Sequence, residues 1–595
     1  MAMVRRYAWR VAPLLLLVGL YWPGLTNWFY QDDFGWLNLR REVHSVRDLG
    51  PALFAPKAHG NMRPLGENAY FLVFSSLFGV NALPFRMWAF ATQMASLVLL
   101  GSVVSRMTSS TAAGFWAQIL WIANTGLAPA MCWTSIYNQI LSGFFFLLAF
   151  YFLLRQAAGG DRRYYIAQWA AFVLGLGALE TNVMYPAIAA VYTLLFARAY
   201  FRKILPMFPV SALAIFAHFR FAPPAHDGVY ALHFDRYILT TLGSYWMRAL
   251  GPSRPAAVLL SCAVAALLVW KVRTREWIGL FGVAWFGVAW FVIVMCPYLP
   301  LSAHQEDYYL AVPVIGLAIL GGWAIACAWR SGVAWRLATT VCVAVYLGTS
   351  LPATWAITRW HHERGTRVED LVLGVAEIHE QEPGKTILLA GIDTDLFWSG
   401  IADAPFRVME IPHVYLVPGS EARIQGPPGL VARYVLPQGL ALRALREGRA
   451  VVYQADGPVL RNATARYRTL AGTLWKAEPP RFINLGDTVY AEYLGPGWSA
   501  AADGYRWLIG TGTLHVGGPR GPTDRLYVSV FGDGEPRLGI RVDGTDLAPQ
   551  FIERSNGVSE LAAGLPAALD GKQEIEVVLS SGRSAAVKFG FVEVR

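Results

Sequence analysis

Four uncharged and strongly apolar stretches restrict what this chain can fold into. They cover residues 11–30, 87–105, 310–329 and 337–358, and each approaches or reaches the roughly 20 residues that a helix needs to cross a bilayer. No such stretch follows Trp360. Only 15% of the 595 residues are charged, a smaller share than in ordinary soluble domains. The sequence therefore predicts a polytopic α-helical membrane protein with a water-facing C-terminal region.

Basic residues recur in every second loop between the apolar stretches. Under the positive-inside rule these loops are cytoplasmic and the intervening loops lie on the opposite side. The uncharged run 107–154 is too long for one crossing and is divided near 124–129. We therefore predict about eleven transmembrane helices in the inner (cytoplasmic) membrane, a cytoplasmic N-terminus and an extracytoplasmic C-terminal domain. The basic residues behind this assignment are Arg5, Arg6, Arg10, Arg106, Arg155, Arg162, Arg163, Arg198, Arg202, Lys203, Lys271, Arg273, Arg275, Arg330 and Arg336.

The pattern changes twice in the C-terminal region. A helical pattern followed by a short apolar strand near 386–389 indicates a small α/β unit. From about residue 497, short alternating runs separated by Gly, Asp and Pro turns indicate a β-sandwich. We predict a transmembrane domain over 1–360 with a long outer loop at 31–85, an extracytoplasmic α/β domain over 361–490 and a β-sandwich domain over 491–595.

The net charge of +10 does not indicate a nucleic-acid partner. Many of the basic residues lie in short loops between apolar stretches, where membrane orientation accounts for them. The five cysteines all precede residue 360 and lack metal-ligand spacing. The sequence therefore predicts neither a disulfide framework nor a zinc site.

Two adjacent carboxylates, Asp32 and Asp33, follow the first apolar stretch directly, within WFYQDDFGWL at 28–37. Neighbouring like charges at an apolar boundary repel one another and resist desolvation. Acid–base catalysis, a phosphate clamp or a metal site would each explain the pair. An ordinary helix cap at the interface would explain it equally well.

Further polar groups fall in loops on the same predicted side. Arg63 lies in the first loop, and Glu180 lies in a tight turn between two short apolar stretches. His218 and Arg220 end another stretch, and His304 lies in AHQEDYY at 303–309. A guanidinium can bind a lipid phosphate through two hydrogen bonds, while interfacial acids are costly and commonly functional. Each residue alone also fits a structural role, but together they predict a shared extracytoplasmic cavity.

In this order the motifs resemble the GT-C superfamily of polytopic glycosyltransferases, in the branch of protein O-mannosyltransferases, bacterial aminoarabinose transferases and their bacterial relatives. The resemblance covers most of 31–313. The chain carries Asp-Asp where protein O-mannosyltransferases usually carry Asp-Glu, and it lacks their lumenal sugar-binding-like insertion. The matching residues are Asp32-Asp33, RPL at 63–65, FGVN at 78–81, Leu179-Glu180, Tyr185-Pro186 and YYL at 308–310.

The resemblance implies a GT-C-like membrane domain that moves a hexosyl or pentosyl unit from a polyprenyl-phosphate donor to an acceptor hydroxyl on the extracytoplasmic face, with inversion. It implies Asp32 as the catalytic base, Asp33 as its neighbour in the site and Arg63 as a ligand of the donor phosphate. Position adds Arg220 as a second phosphate ligand. Glu180, His218 and His304 are further expected site residues.

The acceptor class stays open between a glycan, a lipid and a protein, with membrane lipid around the enzyme. No cofactor is required, because arginines can stabilise the leaving phosphate, although a divalent metal could share that role. Two other functions remain alternatives. A lipid or glycan transporter or flippase would need polar or broken helices near the bilayer midplane, and a non-catalytic cell-envelope receptor would bind through its C-terminal region.

Overall fold

The computed structural model describes residues 2–57, 61–221, 228–273, 280–427, 429–502, 504–532, 538–553, 558–581 and 586–595. Two compact units account for the chain, Met1–Thr366 and Arg367–Arg595. The division falls six residues after the boundary predicted at 360, and one helix runs across both positions without a break.

The first unit is helical. Several of its helices are short and lie in the loop that follows the first apolar helix. Its α-helices are α1 (Ala2–Leu25), α2 (Asp33–Leu37), α3 (Leu49–Phe54), α4 (Tyr70–Phe78), α5 (Ala82–Thr108), α6 (Thr111–Ile122), α7 (Ala128–Cys132), α8 (Tyr137–Gly159), α9 (Arg162–Leu176), α10 (Tyr185–Phe196), α11 (Phe201–Ile204), α12 (Met207–Phe221), α13 (Tyr237–Leu250), α14 (Arg254–Arg273), α15 (Leu280–Met295), α16 (Val314–Ser331) and α17 (Val333–Gln381).

Within the described part of the chain, five helices are long and apolar enough to cross a membrane, or six if the bent pair α13 and α14 forms one span. Three shorter apolar helices accompany them. The uncharged run 107–154 is divided between α6 and α8, as predicted. The count of about eleven crossings stays a prediction, since the helices α9 and α10 have only 15 and 12 residues.

Glycine allows α16 to approach both of its neighbours closely. A Cβ added at Gly322 would lie 2.3 Å from the carbonyl oxygen of Ala113 in α6. Gly316 in α16 and Gly287 in α15 face one another, and a Cβ on either would lie within 2.6 Å of the other's carbonyl oxygen. Small residues at such crossings let helix backbones pack at van der Waals distance where no hydrophobic effect drives association.

We expect Gly322→Ala to destabilise the protein by about 1–3 kcal/mol, because the added methyl group meets backbone that cannot move aside easily. Gly348→Ala in α17 is the matched control, since its Cβ would meet nothing within 4 Å. Thermal unfolding of the purified protein in detergent measures both. Equal melting temperatures for the two variants would contradict the proposed α6–α16 contact.

The second unit begins with an α/β arrangement. Strands β1 (Thr386–Ala390), β2 (Val414–Leu416) and β3 (Ala450–Gln454) are parallel, in the order β2-β1-β3, and β4 (Arg461–Asn462) is antiparallel to β3. All five residues of β1 are buried, as expected for a central parallel strand covered on both faces. The helices of this unit are α18 (Thr394–Gly400), α19 (Pro405–Val408), α20 (Gln438–Arg446) and α21 (Thr464–Leu474).

The remainder of the unit contains two antiparallel sheets. One has the order β10-β9-β13-β7, and the other has the order β11-β12-β8-β14-β5 with β6 also paired to β14. Alternate residues of β13 are buried, and one hydrophobic core contains side chains from both sheets and from the α/β strands. The strands are β5 (Phe482–Asn484), β6 (Arg506–Leu508), β7 (Thr511–Gly517), β8 (Arg525–Phe531), β9 (Leu538–Val542), β10 (Thr545–Leu547), β11 (Gln550–Glu553), β12 (Val558–Gly564), β13 (Glu574–Ser581) and β14 (Val587–Val594).

Candidate functional site

Asp33 is a buried anchor for the first loop. Its side chain is 0% exposed, and its Oδ1 accepts hydrogen bonds from the amide and hydroxyl of Ser135 at 2.7 and 2.5 Å. Its Oδ2 accepts from the Tyr30 amide at 3.1 Å. Burial raises the pKa of Asp33 to about 7, although these hydrogen bonds favour the ionised form and oppose the shift. Asp33 therefore ties the first loop to the turn that precedes α8.

Asp32 has the opposite environment, since it is exposed to solvent immediately before α2. The preceding residue, Gln31, has a φ of +58°, an uncommon conformation for a non-glycine residue. This turn brings the chain out of the first helix and leaves one carboxylate of the pair buried and the other accessible. Of the two carboxylates, only that of Asp32 is exposed to solvent.

Arg63 is held between two carboxylates. Its Nε donates to both oxygens of Glu180, at 2.9 and 2.8 Å, and its Nη1 donates to Glu67 at 2.5 Å. Glu67 is buried and also accepts from the Asn138 side chain of α8 at 2.5 Å. The Arg63 side chain is 20% exposed, and within the described part of the chain its Nη2 forms no hydrogen bond. This group of Arg63, Glu67 and Glu180, which we call the clasp, joins the first loop to the turn at Glu180, and Asn138 connects it to α8.

The backbone brings the two partners of this clasp together. Residues Pro64–Ala69 form a π-helical turn, a rare element that often occurs at functional sites. The amides of Leu65 and Gly66 donate to the carbonyl of Gly177 at 2.8 and 3.3 Å. A Cβ at Gly66 would lie 2.2 Å from the carbonyl oxygen of Ala178, so only glycine allows this approach. The π-helical turn is therefore packed directly against the segment that precedes Glu180.

The charges within the clasp adjust to one another. Burial disfavours the charge on Arg63, but the carboxylates of Glu180 and Glu67 outweigh it and hold the pKa of Arg63 well above its ordinary value. Burial raises the pKa of Glu67 above its ordinary value, and Arg63 opposes that rise. Arg63 is therefore a permanent cation whose charge is already partly neutralised inside the protein.

A second group of side chains joins the same region from two later segments. The ring of Tyr230 lies 4.6 Å from that of His304, centroid to centroid, and His304 lies 6.0 Å from Tyr309. Burial raises the pKa of Tyr230, the charges of Asp32 and Glu306 raise it further, and Arg63 lowers it. The charges of Asp32 and Arg63 therefore both act on Tyr230.

Aromatic packing connects these segments to the Glu180 turn. Tyr298 and Tyr309 stack with their ring centroids 4.1 Å apart, and the hydroxyl of Tyr298 is hydrogen-bonded to Thr181. Tyr30 stacks on Trp133, which in turn contacts Tyr308 edge to face. Three of the segments singled out in the sequence, those of Asp32, Glu180 and His304, are therefore connected by contacts between aromatic side chains of the same unit.

His218 and Arg220 are not brought into this cluster. Helix α12 contacts the Glu180 turn near its beginning, where Ser211 donates to the carbonyl of Val183 at 2.8 Å. His218 lies seven residues farther along the helix, about 10 Å at the rise of an α-helix. Among the described residues, no hydrogen bond or ion pair connects His218 or Arg220 to Asp32, Arg63 or Glu180.

Sequence reasoning missed several residues of the site. Glu67 follows Arg63 by four residues in the same loop, a spacing that a helix turns into an ion pair, so this partner was readable from the sequence. Arg248 at the end of α13 donates to Asp307 at 3.2 Å and to the carbonyl of Gln305 at 3.2 Å. Nothing in the local sequence distinguishes Arg248 from an ordinary interfacial arginine.

The described residues include no group of three or more His, Cys, Asp or Glu side chains arranged to hold a metal ion. The charged groups of the cluster instead satisfy one another in pairs and triads.

Comparison with solved structures returns proteins that align with most of this chain at low sequence identity. ArnT from Cupriavidus metallidurans bound to undecaprenyl phosphate aligns over 80% of this chain and 96% of its own, with 13% identity and a TM-score of 0.43. The apo oligosaccharyltransferase of Archaeoglobus fulgidus aligns over 98% and 95%, with 9% identity and a TM-score of 0.44.

Arabinosyltransferase EmbB from Mycobacterium smegmatis aligns over 98% of this chain and 64% of its own, with 11% identity and a TM-score of 0.34. No protein-family model matches the chain, and no curated protein matches it.

We expect the stability of the protein to rise as pH falls from about 7 towards 3.8, the ordinary pKa of an aspartate, through Asp33. In this window the folded state holds a proton on Asp33 that the unfolded chain releases, so lowering the pH favours folding by up to roughly 4 kcal/mol. Chemical unfolding in detergent at several pH values measures the slope. In Asp33→Asn the Asp33 contribution to the slope should disappear, and an identical slope in both proteins would contradict the assignment.

Proposed function

We propose that this chain is an inverting glycosyltransferase that moves a sugar from a polyprenyl-phosphate donor to an acceptor hydroxyl on the extracytoplasmic face of the membrane. The observation that carries the proposal is the exposed Asp32 beside the buried, hydrogen-bonded Asp33, with the charges of Asp32 and Arg63 both acting on Tyr230. Such a pair separates one carboxylate for chemistry from one for architecture.

In the proposed reaction, Asp32 removes the proton of the acceptor hydroxyl as that oxygen attacks the anomeric carbon. The bond between the anomeric carbon and the phosphate oxygen breaks, and the polyprenyl phosphate leaves with the bonding electrons. Attack from the opposite face inverts the anomeric configuration. The proton on Asp32 then passes to solvent, which its exposure permits.

Arg63 is proposed to bind the donor phosphate through its Nη2, while Glu67 and Glu180 fix the orientation of the guanidinium. Arg248 is a second candidate cation for the donor phosphate. Its side chain is 39% exposed, and it donates to the carbonyl of Gln305, the residue that follows His304. Arg220 stays a proposed outer ligand on the strength of its exposure. His304 and Tyr230 would line the sugar side of the site.

The proposal requires no cofactor, because cations of the chain can stabilise the charge that develops on the leaving phosphate. A divalent metal held between Asp32 and a substrate phosphate would be a second way to supply that charge. Activity measured with and without a chelator separates the two.

A transporter or flippase is the main competing function. It would place its polar groups near the middle of the membrane, whereas Asp32, Arg63, Glu180 and His304 lie in loops and turns at the ends of apolar helices. This distribution favours chemistry at one face. A receptor would instead depend on the second unit, and it would tolerate substitution of Asp32.

Substitution of Asp32 provides the direct test. We expect Asp32→Asn to lower sugar transfer from a panel of polyprenyl-phosphate sugars by about 10²–10⁴-fold, the usual contribution of a general base. Glu42→Gln is the matched control, because Glu42 lies in the same loop and forms only an exposed ion pair with Lys57. Sugar release from each donor is measured on purified proteins of equal thermal stability.

Loss of activity in Asp32→Asn alone would support the proposal. Full activity of Asp32→Asn would exclude Asp32 as the catalytic base. An absence of turnover by wild type with every donor would instead favour the transporter or the receptor. Substrate flux through proteoliposomes that contain Asp32→Asn distinguishes those two alternatives.

A pair of variants separates the structural role of Arg63 from its role in binding. Arg63→Gln leaves the buried Glu67 without its cation, so we expect a loss of about 3–5 kcal/mol in stability. Adding Glu67→Gln to that variant should restore most of the stability, while the affinity for a polyprenyl phosphate stays low. Recovery of both properties together would rule out Arg63 as a phosphate ligand.

A further inference from the structure

The parallel strands of the second unit create a point where the chain changes direction across the sheet. Strand β1 is central, with β2 on one side and β3 on the other. The connection from β1 to β2 and the later connection to β3 therefore lead to opposite sides of β1. In open α/β sheets, ligands bind outside the carboxyl ends of the strands at such a switch point. In this sheet the switch point lies between the carboxyl ends of β1 and β3.

A crevice with a volume of about 220 Å³ lies at this position. The turn after β1 contains Gly391 with a φ of +81°, and a Cβ there would lie 2.2 Å from the Gln454 side chain at the end of β3. The turn after β1 and the end of β3 therefore approach one another closely. The residues that shape the crevice include Arg367, Asp370, Leu396, Asp456, Pro458 and Leu460.

Most polar groups around the crevice are held in place by partners. Arg367 donates to Asp393 at 2.6 Å and to Asp395 at 3.4 Å. Asp456 accepts from the side chain of Gln454 at 3.3 Å and pairs with Arg461. These pairs form a polar rim around the crevice.

Asp370 is different, because within the described part of the chain its carboxylate forms neither a hydrogen bond nor an ion pair. It lines the crevice from helix α17, one residue after Glu369, which does not line it. A half-buried carboxylate that faces a polar crevice has its full hydrogen-bonding capacity available for a ligand.

The chemistry of the lining restricts the occupant. Two carboxylates of the lining, those of Asp370 and Asp456, outnumber its one guanidinium, that of Arg367, so the lining is net negative and repels anions. Leucine and proline side chains add apolar surface beside these polar groups. The volume is below the roughly 300–1,000 Å³ of pockets for drug-sized ligands, which limits the occupant to about one sugar ring.

We propose that this crevice is a second carbohydrate site, which binds one neutral or amine-bearing sugar unit through Asp370 and the polar rim. Sugar hydroxyls or an ammonium group would donate to the carboxylates, and the C–H face of the ring would pack on the leucine and proline side chains. The site lies entirely within the second unit, and the proposal does not depend on the transfer reaction.

The test uses the full-length protein in a detergent without a sugar headgroup, with ligand-detected saturation-transfer NMR. The probes are methyl β-D-glucopyranoside, D-glucosamine and D-glucuronate. We expect the first two to bind with a Kd on the order of 1 mM and the anionic glucuronate to bind at least about tenfold more weakly.

Three variants locate the binding. Asp370→Asn should weaken binding of the first two probes about tenfold through loss of a charged acceptor. Glu369→Gln is the matched control, with the same loss of charge one residue away, and should bind as wild type does. Gly457→Trp should also weaken binding, because a Cβ at Gly457 meets nothing within 4 Å and a large side chain can enter the mouth of the crevice.

Weaker binding in Asp370→Asn and Gly457→Trp with unchanged binding in Glu369→Gln would support the proposal. Equal binding in all variants would place the sugar elsewhere, including the helical unit, and would overturn it. A lack of saturable binding by wild type, or glucuronate binding as strong as that of the neutral probe, would also overturn it. Asp32→Asn retains this binding whatever the outcome of the transfer assay, so the two proposals fail independently.

Discussion

The clasp of Arg63 by Glu67 and Glu180 holds together segments that lie more than a hundred residues apart in the chain. One guanidinium and two carboxylates lose hydration at the edge of an apolar helical unit, and only their mutual attraction and hydrogen bonds offset that loss. Asn138 extends the clasp into α8. The same side chains therefore hold the part of the first loop around Arg63 against α8 and the Glu180 turn.

The hydrogen bonds of Asp33 explain why the neighbouring acids Asp32 and Asp33 differ in exposure. Asp33 gains three hydrogen bonds at the cost of burial, whereas Asp32 keeps its hydration. From the sequence the two are indistinguishable, because the partner that separates them, Ser135, lies 102 residues away. The sequence predicted that an acidic pair after the first helix would matter, but not which member would be accessible.

The sequence was informative wherever the signal is local. Apolar stretches predicted the long helices, and short runs of alternating apolar and polar residues predicted strands such as β8 and β13. The loop charges predicted that Arg63 and Glu180 share one side, but a one-dimensional pattern cannot pair them. Arg220 could not be placed from the sequence, because the distance along α12 separates it from the turn that this helix contacts at Ser211.

Features that depend on strand order or on short elements could not be read in advance. Strand β5 has three residues and precedes the boundary predicted at 490, so it carries too little periodicity to be recognised. The crevice between β1 and β3 requires the order β2-β1-β3, which follows from tertiary packing rather than from any one segment. Long-range pairing of this kind decides both the sheet and the groups that meet at its edge.

The π-helical turn at Pro64–Ala69 sets the rotational register of the first loop. A π turn holds one more residue than the equivalent α turn, and here the amides of Glu67 and Asn68 both donate to the carbonyl of Arg63. Deleting Pro64 or Leu65 would return the segment to α geometry and change the spacing between Arg63 and Glu67 from four residues to three. Gly66 would also lose its place against the carbonyl oxygen of Ala178, so among homologous chains the length of this loop should vary less than its composition.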